Sequence, residues 1–152
     1  MLAAVLGGCS ATPPAGPGAV TPTLHVGALR HGIEPFLAAH PLAPGAEIRA
    51  DEVARSDAAS LHLVQVRGRE KPHRHERHDL VVQVLRGAGV LHLGDEQLPM
   101  RAGDVVLVRR GMAHWFAADA GASALALVTF APPLDAPDST PVPDVDSDDV
   151  RR

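Results

Sequence analysis

From Leu61 onward the apolar residues of this chain recur at every second position, in runs too short for helices and separated by glycine. The runs are Leu61–Arg67, Leu80–Leu85, Val90–Leu93, Gln97–Met100, Asp104–Val108, His114–Ala117 and Ala124–Phe130. A period of two places alternate side chains on opposite faces of a strand, so each run can bury one face and wet the other. Gly87-Ala88-Gly89, Gly94-Asp95, Ala102-Gly103-Asp104 and Arg110-Gly111-Met112 read as hairpin turns between neighbouring strands. Seven short, evenly spaced strands without internal repeat predict an all-β domain: a sandwich, a jelly roll or a closed antiparallel β-barrel. Helical signal is confined to one short N-terminal helix over Glu34–His40, where Pro35 occupies a tolerated first-turn position and Pro41 stops the helix.

Composition separates this domain from its ends. Residues 10–23 and 132–152 are rich in Pro, Gly, Ser, Thr and Asp and bury little, so they read as a flexible linker and a disordered acidic tail. The folded domain is expected over residues 24–131, with its core at 47–131. The tail carries six Asp and two Arg, which accounts for the whole net charge of −4. The remainder balances twelve acidic against twelve basic residues. A domain without excess positive charge lacks what a nucleic-acid surface requires.

Cys9 is the only cysteine, which rules out an intrachain disulfide. It follows Leu6-Gly7-Gly8, and this run resembles a bacterial lipobox, in which the cysteine is acylated. The eight residues before it contain no Lys or Arg, so residues 1–9 read as a truncated lipoprotein-type signal. The expectation is a lipid-anchored protein of the bacterial cell envelope, on the periplasmic side and at the outer membrane, touching the membrane only through Cys9. If Cys9 is an ordinary cysteine, the expected location is the cytoplasm.

The chemistry-bearing segment runs from Gly68 to Gly87. His73 and His75 are two apart, so on a strand both imidazoles face one side. His114 follows the turn at Gly111 and can approach from a neighbouring strand. Three imidazoles can hold a divalent ion and leave positions open. This donor set suits Fe, Zn, Ni, Co or Cu better than Mg or Ca. His62 and His92 lie on strands and can line the interior. Trp115 and Phe116 read as core packing ahead of substrate wall.

The pattern Gly68, four residues, His73-Arg74-His75, four residues, Leu80, six residues, Gly87 resembles the first motif of the cupin family. Gly103, five residues, Arg109-Arg110-Gly111, two residues, His114, three residues, Ala118 resembles the second. The resemblance covers residues 47–131 and implies a compact single-domain bacterial cupin with a metal held by His73, His75 and His114. The family's carboxylate ligand falls on Leu80, which cannot bind a metal. Arg109 and Ala118 also depart from the usual Pro and Asn. Three arrangements can compensate for Leu80. The site can be a bare three-histidine site, His78 can reach in, or Asp79 can swing in or hold a ligating imidazole from behind. The implied function is binding or transformation of a small-molecule ligand at the metal, dioxygenase-like or isomerase-like if catalytic. The alternative is a non-catalytic binding or sensing cupin tethered at the envelope. Many cupins are homodimers that share edge strands, and the resemblance extends that expectation here.

Overall fold

The computed structural model describes residues 23–26 and 29–143. Cys9, nearly all of the 10–23 linker and residues 144–152 lie outside the described residues. Strands β1 (Thr23–Val26) and β2 (Leu29–Gly32) pair antiparallel and lead into α1 (Ile33–Ala39). The helix has acidic Glu34 in its first turn, where the helix dipole favours it. It stops at His40, whose ring stacks on Phe36 at 4.2 Å and whose Nδ1 lies 2.9 Å from the Phe36 carbonyl. Ile33 of α1 is buried against Leu63 and Leu125. Among the described residues no helix is long and apolar enough to cross a membrane.

Ten strands follow: β3 (Ile48–Arg55), β4 (Ser60–Arg67), β5 (His73–His75), β6 (Asp79–Arg86), β7 (Ala88–Leu93), β8 (Glu96–Arg101), β9 (Val105–Val108), β10 (His114–Ala118), β11 (Ser123–Ala131) and β12 (Ser139–Pro141). They form two five-stranded antiparallel sheets, ordered β12-β5-β10-β7-β8 and β3-β4-β11-β6-β9. The architecture is all-β and jelly-roll-like. Neither sheet closes on itself, so the barrel alternative is replaced by two sheets with a core between them. Val64, Val66, Leu80, Val84, Val108, Val128 and Phe130 of one sheet meet Leu91 and Met100 of the other.

The four glycine turns do different work from the one expected. Only Gly94-Asp95 makes a hairpin, joining β7 to β8 with Leu93 opposite Glu96. The other three carry the chain from one sheet to the other, as the sheet orders require. At the first corner Gly87 adopts φ +81°. Gly89 lies so close to β10 that a Cβ would sit 2.2 Å from the Ala117 carbonyl oxygen. A side chain at either position has no room, so the corner depends on both glycines.

The C-terminal boundary also moves. The tail expected from residue 132 is structured as far as residue 143. Leu134 packs on the core, and β12 adds a strand beside β5. At the other end, Thr23 of the expected linker already belongs to β1.

Candidate metal centre and its cavity

β10 sits between β5 and β7, and this order brings the three histidines together. His114 is directly opposite His73 across the β5–β10 pair, and His75 lies two residues farther along β5. The turn before His114 is tied to the same strand, because the Gly111 N–H donates to the His75 carbonyl at 2.7 Å. Ring centroids are 4.5 Å apart for His73–His114, 5.1 Å for His73–His75 and 5.5 Å for His75–His114. One nitrogen from each ring falls within 4.8 Å of the other two. An ion with imidazole bonds of ~2.0–2.1 Å wants nitrogens roughly 3–3.5 Å apart, so the rings must close slightly around it.

The donor chemistry fits such an ion. His73 donates its Nδ1–H to the Lys71 carbonyl at 2.8 Å, and His114 donates its Nδ1–H to the Met112 carbonyl at 3.0 Å. Each bond fixes the tautomer that leaves Nε2 as a lone pair for metal. The Nδ1 of His75 is buried with no hydrogen-bond partner among the described residues. Burial, aided by repulsion from His73, pulls the His75 imidazole down to about 4. Burial does the same to His114, also to about 4, against an opposing hydrogen bond to Met112. Both rings are therefore neutral at pH 7 and can donate to a cation without first losing a proton.

The three rings line a cavity of about 750 Å³ between the sheets. Its walls are mainly aliphatic and aromatic, with Leu80, Phe116, Phe130 and Leu134 among them. Leu80 is buried and faces this space as its register opposite Phe130 and Val108 requires. It leaves the position of the family carboxylate apolar.

Neither substitute for that carboxylate reaches the centre. His78 is buried, but its Nδ1 is 2.5 Å from Asp138 Oδ2 and its Nε2 is 3.3 Å from the Pro133 carbonyl. Both ring nitrogens face acceptors on the C-terminal segment. Asp79 is turned outward to Arg110, which bonds both carboxylate oxygens, at 3.2 and 2.8 Å. That hydrogen-bonded cation holds the Asp79 carboxyl at about 2. Asp79 thus secures the turn before His114 instead of holding an imidazole.

His62, His92 and Trp115 are structural. His62 Nε2 is 2.9 Å from the Ser60 hydroxyl, and both residues are buried. This is no nucleophile–base pair: the Ser60 hydroxyl also accepts the Leu134 N–H, and neither residue lines the cavity. His92 stacks on Trp115 at 4.4 Å, and the Arg69 guanidinium lies 5.4 Å from the same ring. Trp115 is core packing, whereas its neighbour Phe116 is cavity wall.

One functional candidate has no counterpart in the sequence analysis. Glu70 lines the cavity close to His73. Its Oε2 accepts the Phe116 N–H at 2.8 Å, and its own N–H donates to the Phe116 carbonyl at 2.9 Å. Burial raises its carboxyl pKa, partly offset by that hydrogen bond and by His73. In the sequence Glu70 is one of three consecutive charged residues, and nothing local says which of them turns inward.

Comparisons with known proteins agree with this geometry. The family model described as "Cupin domain" matches residues 60–130. An uncharacterized protein of Aquifex aeolicus (strain VF5) is 33% identical over 96 residues, which is 63% of this chain and 78% of that protein. The solved structure of KdgF from Halomonas sp. superposes with TM-score 0.52 at 28% identity, over 57% of this chain and 79% of that one. Streptomyces Pac13 solved with uridine shares the fold at TM-score 0.55 and 22% identity, over 64% of this chain and 79% of that one. The glycine and histidine spacing, the paired antiparallel sheets and these matches agree: the chain is a small single-domain protein of the cupin fold with a histidine cluster able to ligate metal.

Proposed function

We propose that this protein holds one divalent transition-metal ion on His73, His75 and His114 and uses it to bind, and to transform, a small molecule in the adjoining cavity. The observation that carries this reading is the convergence of three imidazole nitrogens within 4.8 Å at the wall of a cavity of about 750 Å³. A volume of that order suits a small ligand. When bound, the ion supplies Lewis acidity and open positions at which a ligand donor can be polarised. The chain's own residues do the rest. His73 and His114 are oriented by backbone carbonyls. Leu80, Phe116 and Phe130 exclude water from the apolar part of the ligand. Glu70 holds a carboxyl at the same cavity, anchored on one oxygen by the Phe116 N–H.

Glu70 favours chemistry over passive binding, because a carboxyl with a raised pKa can exchange a proton with a bound ligand. An isomerase-like reaction is the closest fit to such a group, with a dioxygenase-like reaction as the other class. The absence of a carboxylate at Leu80 favours the alternative, a binding or sensing cupin. The proposed location is the cell envelope, through acylation of Cys9 in the Leu6–Cys9 lipobox.

Elemental analysis of the full chain, as purified and after loading with Co(II), Fe(II), Ni(II), Zn(II) or Cu(II), tests the metal. One ion per chain is expected, and His75→Ala is expected to lose it, since two imidazoles rarely hold an ion alone. Equal metal content in wild type and His75→Ala rules the reading out.

A further inference from the structure

β5, the strand that carries His73 and His75, has only three residues and little to hold it. On its β10 side the ladder is a single residue pair, His73 with His114, supplemented by the Gly111 N–H bond to the His75 carbonyl. On its other side β12 contributes three pairs: Ser139 with His75, Thr140 with Arg74, and Pro141 with His73. The Val142 N–H continues the contact by donating to the Pro72 carbonyl at 3.1 Å. The two metal-ligand positions of β5 are thus registered more by the C-terminal segment than by the rest of their own sheet.

Asp138, just before β12, fastens that segment. Its side chain is only 6% exposed despite its charge. Its Oδ2 accepts from the His78 ring at 2.5 Å and from the Arg77 backbone N–H at 3.0 Å, and its Oδ1 accepts from Arg77 Nε at 3.2 Å. The upstream end is fastened separately. Arg55 donates to the Leu134 carbonyl at 2.7 Å and pairs with Asp135, and the Leu134 N–H donates to the Ser60 hydroxyl at 3.0 Å. Along this segment Leu134, Ser139 and Pro141 line the cavity.

We propose that Asp138 is the positioning residue of the metal centre: by clamping His78 and the Arg77 N–H it seats β12 on β5 and aligns His73 and His75 with His114. The proposal rests on the metal reading for its consequence, but the clamp itself exists without metal. Charge-assisted hydrogen bonds to a buried carboxylate are among the stronger ones, and losing one partner leaves the others unsatisfied.

The test uses the full chain as wild type, Asp138→Ala and Asp138→Asn. Asparagine keeps an acceptor oxygen for the Arg77 N–H, so it should retain most of the clamp. Hydrogen–deuterium exchange is measured on metal-free protein for the peptide spanning 72–78, with β11 as the fold control. Co(II) affinity is read from its visible absorption. Asp138→Ala should raise exchange at 72–78 at least ~10-fold with β11 unchanged, and weaken Co(II) by ~10-fold or more. Asp138→Asn should stay within about three-fold of wild type on both readouts. Unchanged exchange at 72–78 in Asp138→Ala, or undiminished Co(II) affinity, overturns the proposal. If Asp138→Ala loses protection in β11 as well, the Asn variant decides: staying within about three-fold of wild type on both readouts supports the clamp, and a ~10-fold loss without β11 change overturns it. A wild type that binds no Co(II) defeats the metal reading, and the exchange arm then decides the clamp on its own.

Discussion

Acidification of metal-free protein should cost stability in a window set by two of the metal-ligand histidines. His75 and His114 titrate at about 4 in the fold against an ordinary 6.5. The unfolded chain therefore takes up protons first as pH falls. The stability these rings contribute is fully present above about 6.5 and is lost as pH drops toward 4. A gap of about 2.5 pH units is worth on the order of 3 kcal/mol for one ring. Part of the His114 shift comes from His75 itself, so the joint contribution is smaller than twice that, about 4–5 kcal/mol. His62, lowered chiefly by burial, acts in the same direction. Glu70 acts in the opposite one, because a raised carboxyl pKa favours the folded state as it becomes protonated. Asp79 and Asp138, held at about 2 in the fold, withdraw their contributions only below their ordinary 3.8. Urea unfolding in chelator, followed by Trp115 fluorescence between pH 7.5 and 4.5, measures the loss. Wild type should lose about 4 kcal/mol, and the double variant His75→Asn/His114→Asn less than half of that. Parallel stability curves for the two proteins would refute the assignment of this window to the metal-ligand rings.

Gly89→Ala should lower the Tm by about 10 °C, because the new methyl meets the backbone of β10 at Ala117 and Ala118 and neither can move aside. A change under about 2 °C in a thermal melt contradicts the close approach. Fatty-acid labelling of cells should mark wild type and not Cys9→Ala. Equal labelling of both, or of neither, removes the lipobox.

Much of the metal centre was legible because it is local. The HxH spacing fixes two rings on one face, and the glycine turn ahead of His114 fixes when the third arrives. The long strands were equally readable, since β4, β6 and β11 each send alternate residues into the core between the sheets. What escaped was long-range. β3 has a strand's alternation, but its charged Arg49, Asp51, Glu52 and Arg55 look like loop. β5 and β12 are three residues each, too short for any period to show. The Pro- and Asp-rich composition of 132–143 argued for disorder, yet Leu134 on the core and Asp138, meeting His78 sixty residues away, anchor it. Composition reports how much a segment can bury and says nothing of one well-placed carboxylate. The same limit applies to the three sheet-changing turns, because a glycine marks a turn but not which sheet lies beyond it.

Leu80 is where sequence and structure together say most about the ligand. An ion held by three imidazoles keeps its full double positive charge, and Leu80, Phe130 and the aliphatic walls offer it no compensation. A charge left uncompensated in an apolar cavity is costly, so a bound anionic donor is worth more here than beside a carboxylate-ligated ion. Glu70 lies at the cavity but is committed on one oxygen to Phe116 and falls outside the three-nitrogen cluster. A small anion such as azide or formate should therefore tighten Co(II) binding by wild type about ten-fold or more. Leu80→Glu should bind Co(II) about ten-fold tighter without added anion, at a cost of about 2–3 kcal/mol in the metal-free fold for replacing a buried leucine. Once that carboxylate is in place, azide or formate should add little. If wild type ignores the anion, or if Leu80→Glu responds to it as strongly as wild type does, the apolar position is not what leaves the ion short of negative charge.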